Sequence, residues 1–288
     1  MYVIFTDTCA NLPDELIERY GLQIIPLSYT VNGQTYPDPE GGDESFDGGA
    51  FYDAMRRGAA VTTSMVNTQA FTSAFSPYLS KGTDVIYIGI SSGISGTHQA
   101  AVTAAAELAQ QYPQRKIAVI DTRAASLGEG LPVVFAARLK EAGAPFEEVV
   151  SQTENNSEKI CQYFTVEDLM YLKKGGRISG AAALVGNILQ IKPILKGDEE
   201  GRIVLCHKER GRKRALEALV NAYRQLASNH AAPIGIAHAD SGEGARLLAD
   251  KVREAGHTGE ILKVWYEPVT GSHVGPGTIA LFFYGIHR

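Results

Sequence analysis

The segment that decides the fold of this chain is Ser91–Ser92–Gly93–Ile94–Ser95–Gly96–Thr97–His98–Gln99. The apolar run Val85–Ile90 before it predicts a buried strand, and the alanine-rich run Ala100–Gln111 after it predicts a helix. A short loop of small residues between a strand and a helix leaves backbone N–H groups free at the positive end of the helix dipole. This geometry favours the binding of an anion such as a carboxylate or a phosphate.

The side chains of this loop support the same interpretation. Ser92, Ser95 and Thr97 add hydroxyl donors, and the small Gly96 lets a ligand approach the backbone. The alternative is that Ser95 or Thr97 only caps the helix. Because a cap needs one hydroxyl and the loop supplies several, we favour an anion site.

The bulk properties indicate a soluble globular protein with a substantial core. The chain has 288 residues, of which 44% are hydrophobic and 20% charged, enough for one large domain or two ordinary ones. A net charge of −5 argues against nucleic acid or an anionic membrane as the main partner. The N-terminus carries no signal-like segment, no apolar run is long enough for a membrane span, and the cysteines are too widely spaced for a metal motif. We therefore expect a cytoplasmic protein without a metal or cofactor and with at most transient membrane contact.

The first half of the chain alternates predicted strands and helices. Strands are expected at Met1–Thr6, Leu22–Val31, Val85–Ile90 and Lys116–Ile120, with Asn11 as the cap of the first helix. This alternation predicts an α/β domain with a mostly parallel sheet flanked by helices.

Ligands of such sheets bind beyond the carboxyl ends of the strands. The polar loops around Asp7, Ser95 and Asp121 follow predicted strands, so we expect them to share one rim. A second hydroxyl cluster, Thr62–Ser64, leads into the predicted helix Thr68–Ser80 and is a second candidate donor site.

The second half predicts another α/β domain. The polar segment Pro145–Ser157 is the best candidate boundary, which divides the chain into domains 1–152 and 153–288. The turn Gly197–Gly201 joins two predicted strands as a hairpin, which indicates a mixed sheet with helices. A helix is expected at Ala181–Leu189.

Two residues of the second half are candidates for contact with an anion. Arg177 lies in a glycine-rich loop and can offer a guanidinium fork to a carboxylate or a phosphate, with a plain surface arginine as the alternative. His273 lies in the predicted loop Thr270–Thr278, where it can donate a hydrogen bond, act as an acid or base, or merely satisfy a local carbonyl. No Walker A, dinucleotide-binding or nucleophile-elbow motif is present.

Taken in order, these motifs resemble the bacterial DegV family of fatty-acid-binding proteins over essentially the whole chain. The segments that carry the resemblance are Thr6–Thr8, Thr63–Ser64, Ser91–Thr97, Ile120–Thr122, Leu172–Ile178, Lys192–Leu195 and His273–Thr278. The chain departs from the family pattern where Thr8 replaces the usual serine, His98 the usual tyrosine and Met65–Val66 the usual Gln–Pro.

The resemblance implies a two-domain α/β protein that holds one long-chain fatty acid between its domains. The residues implied in binding are Thr63, Ser64, Ser92, Ser95, Gly96, Thr97, His273 and Gly275, with Arg177 as a possible contact of the carboxylate or of a partner. Family members serve as the carrier subunit of a fatty acid kinase. They present the carboxylate to a separate ATP-binding subunit, which makes the acyl phosphate used in phospholipid synthesis, so the carrier alone is not an enzyme.

An aliphatic tail requires a dry tunnel, because each buried methylene contributes ~0.8 kcal/mol. The candidates for its lining, with ordinary core as the alternative, are Val185, Ile188, Leu189, Ile191, Ile194 and Leu195. A second hypothesis is an enzyme that acts on a small phosphorylated or keto substrate, with Ser95 as the anion donor and His273 as the acid–base. A long apolar cavity favours the carrier, and a compact wet cleft favours the enzyme.

Overall fold

Two large β-sheets and one small sheet organise the computed structural model, which describes residues 1–37, 46–178 and 190–288. The strands are β1 (Tyr2–Asp7), β2 (Gln23–Ile25), β3 (Ser28–Val31), β4 (Gln34–Tyr36), β5 (Val61–Ser64), β6 (Asp84–Gly89), β7 (Ile117–Asp121), β8 (Ile160–Thr165), β9 (Ile191–Gly197), β10 (Ile203–Arg210), β11 (Ile234–His238), β12 (Ile261–Trp265) and β13 (Ile279–Tyr284). The helices are α1 (Asp14–Tyr20), α2 (Gly48–Arg56), α3 (Thr68–Leu79), α4 (Thr97–Gln111), α5 (Leu127–Glu141), α6 (Phe146–Ser157), α7 (Met170–Lys174), α8 (Arg212–Leu226), α9 (Gly242–Glu254) and α10 (Pro268–Val274).

The first sheet is parallel and has the strand order β2-β1-β6-β7. Helices α3 and α4 pack on one face, and α1, α5 and α6 pack on the other. The connections from β1 and from β6 leave in opposite directions, so the carboxyl ends of these two strands border a crevice where ligands of such sheets bind. The prediction of a mostly parallel sheet flanked by helices is confirmed.

The second sheet is mixed and has the strand order β10-β9-β8-β13-β11-β12. Among its described strands, β11 and β12 pair in parallel and the other neighbours pair antiparallel, including the predicted hairpin of β9 and β10. Helices α8 and α9 cover one face of this sheet. The third sheet, β4-β3-β5, is antiparallel and includes the hydroxyl cluster Thr62–Ser64 in β5.

Helix α5 joins the two large sheets. Its residues Leu127 and Leu131 belong to one apolar cluster with Phe164 and Phe282 of the second sheet. Helix α6 packs against α5 and β7, and the predicted division at 152/153 falls within α6. That division remains a prediction.

The prediction of a single strand over Leu22–Val31 was wrong. The structure forms β2 and β3 there, and these strands belong to different sheets. Pro26 lies between them, and proline cannot donate a ladder hydrogen bond. The chain therefore changes sheets at this residue.

The prediction that Asn11 caps the first helix was also wrong, because Pro13 occupies the N-cap position of α1. The backbone of Asn11 is left-handed, with φ of 55°, and its side-chain amide donates to Ser126 Oγ at 3.0 Å and to the Trp265 carbonyl at 2.9 Å. Asn11 therefore links the loop after β1 to the second half of the chain.

The expected loop Thr270–Thr278 contains a helix instead, and His273 lies on it. Glu267 caps this helix α10 by accepting hydrogen bonds from the Val269 and Thr270 amides, each at 2.6 Å. Pro268 occupies its first turn, a position that proline favours. Glu267 and Pro268, which favour the start of this helix, therefore lie before the segment that was predicted as a loop. The helix expected at Ala181–Leu189 lies outside the described residues.

Candidate ligand-binding site

A narrow cavity lies between residues of the two large sheets. Its volume is about 70 Å³. Its apolar lining includes Leu27, Ile90, Phe164, Tyr266, Val269 and Phe282. Its polar lining residues are Thr63, Ser64, Ser95, Ser126, Gln162, Arg177, Thr270 and His273.

Arg177 is the one cation among the described residues of this lining. Its Nε donates to the Ile94 carbonyl at 3.1 Å, and its Nη1 donates to the Gly175 carbonyl. These two bonds hold the guanidinium beside the loop that follows β6. No carboxylate occurs among the described lining residues, so the positive charge is not neutralised within the cavity wall.

His273 and Thr63 form a hydrogen-bonded pair in the lining. His273 Nε2 and Thr63 Oγ1 are 2.9 Å apart and join α10 to β5. Burial lowers the pKa of His273 to about 4, and the charge of Arg177 acts in the same direction. The imidazole is therefore neutral at pH 7 and can donate from one nitrogen and accept at the other.

Ser95 lies in the cavity lining at the start of α4. Its hydroxyl donates to Thr97 Oγ1 at 3.0 Å and accepts the Thr97 N–H at 3.2 Å. Thr97 is fully buried, and its hydroxyl oxygen accepts the Val66 N–H at 3.3 Å. Thr97 thus connects α4 to the segment after β5, while Ser95 is the residue of this pair that faces the cavity.

Three other predicted residues lie outside the described lining. Ser92 is bonded to the carboxylate of Asp121, with its hydroxyl 2.5 Å from Oδ2. Gly96 adjoins Met65, and a Cβ there would come 2.5 Å from the Met65 sulfur. Gly275 has φ of 79°, which favours glycine. These residues shape the backbone around the cavity rather than its surface.

The predicted common rim of the first sheet is confirmed. Asp7 at the end of β1 accepts hydrogen bonds from the Tyr87 hydroxyl at 2.6 Å and the Ile90 amide at 3.2 Å. Asp121 at the end of β7 accepts from the backbone amide of Ser92 at 3.2 Å. The loops after β1 and β7 therefore both contact the loop after β6 at one edge of the sheet.

The turn of the β9–β10 hairpin packs on the same loop from the second sheet. Ser91 Oγ donates to the Gly201 carbonyl at 2.8 Å. A Cβ at Gly93 would lie 2.5 Å from the Glu200 carbonyl oxygen, so only glycine fits there without movement of the hairpin. The hairpin therefore supports the loop that contributes Ser95 to the cavity.

Of the residues expected to line the tail, those that the structure describes do not border this cavity. Ile194 and Leu195 are fully buried in apolar clusters, and neither they nor Ile191 belong to the lining of this cavity. The other candidates, Val185, Ile188 and Leu189, lie outside the described residues. The sequence reasoning also missed Gln162, Phe164, Tyr266 and Phe282, which carry no local motif.

A group of buried carboxyls lies beside the cavity at the start of α10. Burial raises the pKa of Glu267 to about 7, although hydrogen bonds to Thr270 and Val269 act in the opposite direction. Burial also raises the pKa of Asp7 and, more strongly, of Glu129. These groups hold protons more tightly in the folded protein than in the unfolded chain.

This arrangement predicts a pH dependence of stability that Glu267→Gln removes in part. A carboxyl with a raised folded-state pKa contributes stability below its ordinary pKa of 4.5, and that stability is lost as the pH rises to about 7. The wild-type free energy of unfolding should therefore fall by about 3 kcal/mol relative to the variant over this range. Urea unfolding of both proteins at a series of pH values measures the difference. If the free energy of unfolding changed equally with pH in both proteins, the raised pKa of Glu267 would be contradicted, since the other titrating groups are common to both.

The described residues contain neither a group of three or more His, Cys, Asp or Glu side chains suited to a metal ion nor a helix long and apolar enough to cross a bilayer. The fold and the site define an α/β protein with two large sheets and a narrow, mostly apolar cavity. Arginine, histidine and hydroxyl groups cluster in the wall of this cavity. The chain belongs to the DegV family, because the family model described as an uncharacterised protein of the DegV family matches residues 1–285.

Individual relatives agree with this assignment over nearly their full lengths. The DegV domain-containing protein CPE0026 of Clostridium perfringens is 38% identical over 285 residues, which cover 99% of this chain and 97% of that protein. Among solved structures, a DegV family protein from Thermus thermophilus, described by its fatty acid binding, matches with a TM-score of 0.86 and 31% identity over 99% of both chains. DegV of Bacillus subtilis, described as a fatty acid binding protein, matches with a TM-score of 0.82 and 28% identity over 98% of both chains.

Proposed function

We propose that this protein binds one long-chain fatty acid in the cavity between its two large sheets. The observation that carries the proposal is a mostly apolar cavity whose described lining includes one cation and no carboxylate. Such a cavity suits an aliphatic chain that ends in a single negative charge. The fatty acid binding described for the Thermus thermophilus and Bacillus subtilis relatives supports the same ligand class.

We assign the carboxylate to Arg177, with the hydroxyls of Thr63 and Ser64 as donors. The Ser95 hydroxyl adds a third donor when its proton turns from Thr97 Oγ1 to the ligand. A carboxylate inside a protein must be paired and hydrogen-bonded, and an arginine guanidinium supplies both charge and directed donors. The neutral His273 can donate its Nε2–H to Thr63 Oγ1, which leaves the Thr63 hydroxyl proton for the ligand. This arrangement gives His273 a positioning role behind Thr63.

The tail occupies the apolar part of the cavity. At ~0.8 kcal/mol per buried methylene, the chain supplies most of the affinity, and the polar group sets the orientation. A small phosphorylated or keto substrate, the alternative that the sequence left open, would leave most of the apolar lining without a contact. The lining thus supports a carrier rather than an enzyme for a small anion.

The carrier role includes a partner, a separate ATP-binding kinase subunit that phosphorylates the bound carboxylate. Ser64 and Met65 line the cavity and are also exposed, so the cavity reaches the surface next to Thr63, one of the proposed donors to the carboxylate. A carboxylate at this end is accessible to a second protein. In this role the protein is not an enzyme by itself and acts in the cytoplasm.

Native mass spectrometry of gently purified protein tests the binding function. We expect a bound mass equal to one fatty acid, and uptake of one equivalent of added oleate after delipidation. An apo mass that does not change with oleate would refute the proposal. The kinase role is tested separately: loaded protein, ATP and the kinase subunit should yield an acyl phosphate, trapped by hydroxylamine as an acyl hydroxamate.

A further inference from the structure

A second cavity lies next to the first, on the far side of Leu27 and Val269. Its volume is about 510 Å³, so it is much larger than the first. Its apolar wall includes Leu12, Ile24 and Tyr29. Nothing in the proposed function uses this space.

The two cavities share two residues of their linings, Leu27 and Val269. Both side chains are about 5% exposed and belong to the same apolar cluster. The Leu27 amide donates to Thr8 Oγ1 at 3.1 Å, and the Val269 amide donates to Glu267. These bonds hold the backbone of both residues, and their buried side chains belong to the wall that the two cavities share.

Val269 lies on the same helix as His273 of the first cavity. Val269, Thr270, His273 and Val274 all line the first cavity, which therefore runs along α10. Val269 precedes His273 by four residues, and residues at this spacing share one face of a helix. On this face of α10, His273 lines the first cavity only, whereas Val269 lines both cavities.

The acidic residues of the second cavity do not require a cationic ligand. Asp7 accepts hydrogen bonds from Cys9, Tyr87 and Ile90, and Glu267 accepts from two backbone amides of α10. The oxygens of Asp7 and Glu267 are thus already hydrogen-bonded within the protein, and the third acidic residue, Asp14, is exposed to solvent. The remaining wall is largely apolar, and it suits an aliphatic chain.

From these observations we infer that Leu27 and Val269 limit the length of the fatty acid tail by closing the first cavity against the second. A smaller side chain at either position opens the second cavity to the distal part of a longer tail. This inference rests on the proposed function, because it assigns the tail to the first cavity. It assigns the specificity for tail length to Leu27 and Val269. It also identifies the second cavity as the space that a longer tail enters when either side chain is made smaller.

The test compares saturated fatty acids from palmitate to behenate in wild type, Leu27→Ala and Leu22→Ala. Leu22 is the matched control, because it is also 5% exposed and lines neither cavity. In Leu27→Ala, the affinity for behenate relative to palmitate should rise about tenfold or more, since two further methylenes inside the protein suffice for this change. The ratio should stay at the wild-type value in Leu22→Ala. Val269→Ala should repeat the effect, and it provides the test if Leu27→Ala does not fold.

The outcomes separate the two proposals. If wild type binds palmitate and the ratio is the same in Leu27→Ala or Val269→Ala as in the control, the pair does not limit tail length and the inference is wrong. If wild type binds no fatty acid of the series, the proposed function itself fails. Thermal unfolding of each variant shows that the measured ratios come from folded protein.

Discussion

Replacing Arg177 with alanine is expected to weaken palmitate binding at least about thirtyfold. The variant leaves the bound carboxylate without the one cation among the described lining residues. Loss of one partner from a desolvated, hydrogen-bonded charge pair costs about 2 kcal/mol or more, because the other charge remains without compensation. Displacement of a fluorescent fatty acid by palmitate measures the change in Kd.

Two further variants make the result specific to the guanidinium. Arg177→Lys should recover part of the affinity, because lysine restores the charge but not the planar donor group. Arg253→Ala is the control, since Arg253 also donates to a backbone carbonyl, that of His257 at 3.1 Å, and does not line the cavity. Equal affinities for Arg177→Ala and Arg253→Ala would show that Arg177 does not hold the carboxylate.

Replacing Gly93 with alanine is expected to destabilise the protein by about 2 kcal/mol. The added Cβ would lie 2.5 Å from the Glu200 oxygen and 2.8 Å from the Gly201 carbonyl carbon. Both atoms belong to the backbone, so relief requires the β9–β10 hairpin to move away from the loop. Urea unfolding measures the loss, and palmitate affinity should fall as well because the same loop carries Ser95.

Gly49→Ala provides the control for a glycine replacement that meets no backbone. In the first turn of α2, the added Cβ would meet only the Asp47 side chain, at 3.3 Å. Alanine in a helix is favoured over glycine by up to about 1 kcal/mol, so this variant should be neutral or slightly stabilised. If Gly93→Ala were as stable as Gly49→Ala, the β9–β10 hairpin would not pack closely against the loop at Gly93.

Local patterns were sufficient for most of the secondary structure and for the fold class. The strand before Ser91 and the helix after Gly96 follow from an apolar run and an alanine-rich run on either side of small residues. The hairpin at Gly197–Gly201 follows from a turn between two apolar runs. Each of these features depends on neighbours in sequence, which is why sequence reasoning finds them.

The misses arose where the deciding contact lies far away in sequence. Leu22–Val31 looks like one strand, yet its two parts pair in different sheets, with β1 and with β5. Ile194 and Leu195 look suitable for a tunnel, but the packing of β9 buries them in the apolar cores. A buried apolar side chain has the same sequence signal in a core and in a cavity wall.

The sequence by itself determined the alternation of strands and helices, the rim where β1, β6 and β7 end, and the presence of Thr63, Ser95, Arg177 and His273 as candidate anion contacts. Only the tertiary structure decided which of these side chains share a cavity, which apolar residues enclose it, and that Leu27 and Val269 border both it and a second one. The physical reason is the range of the forces involved. Backbone geometry and periodicity act over a few residues, whereas the shape of a cavity depends on how two sheets and α5 pack across the whole chain.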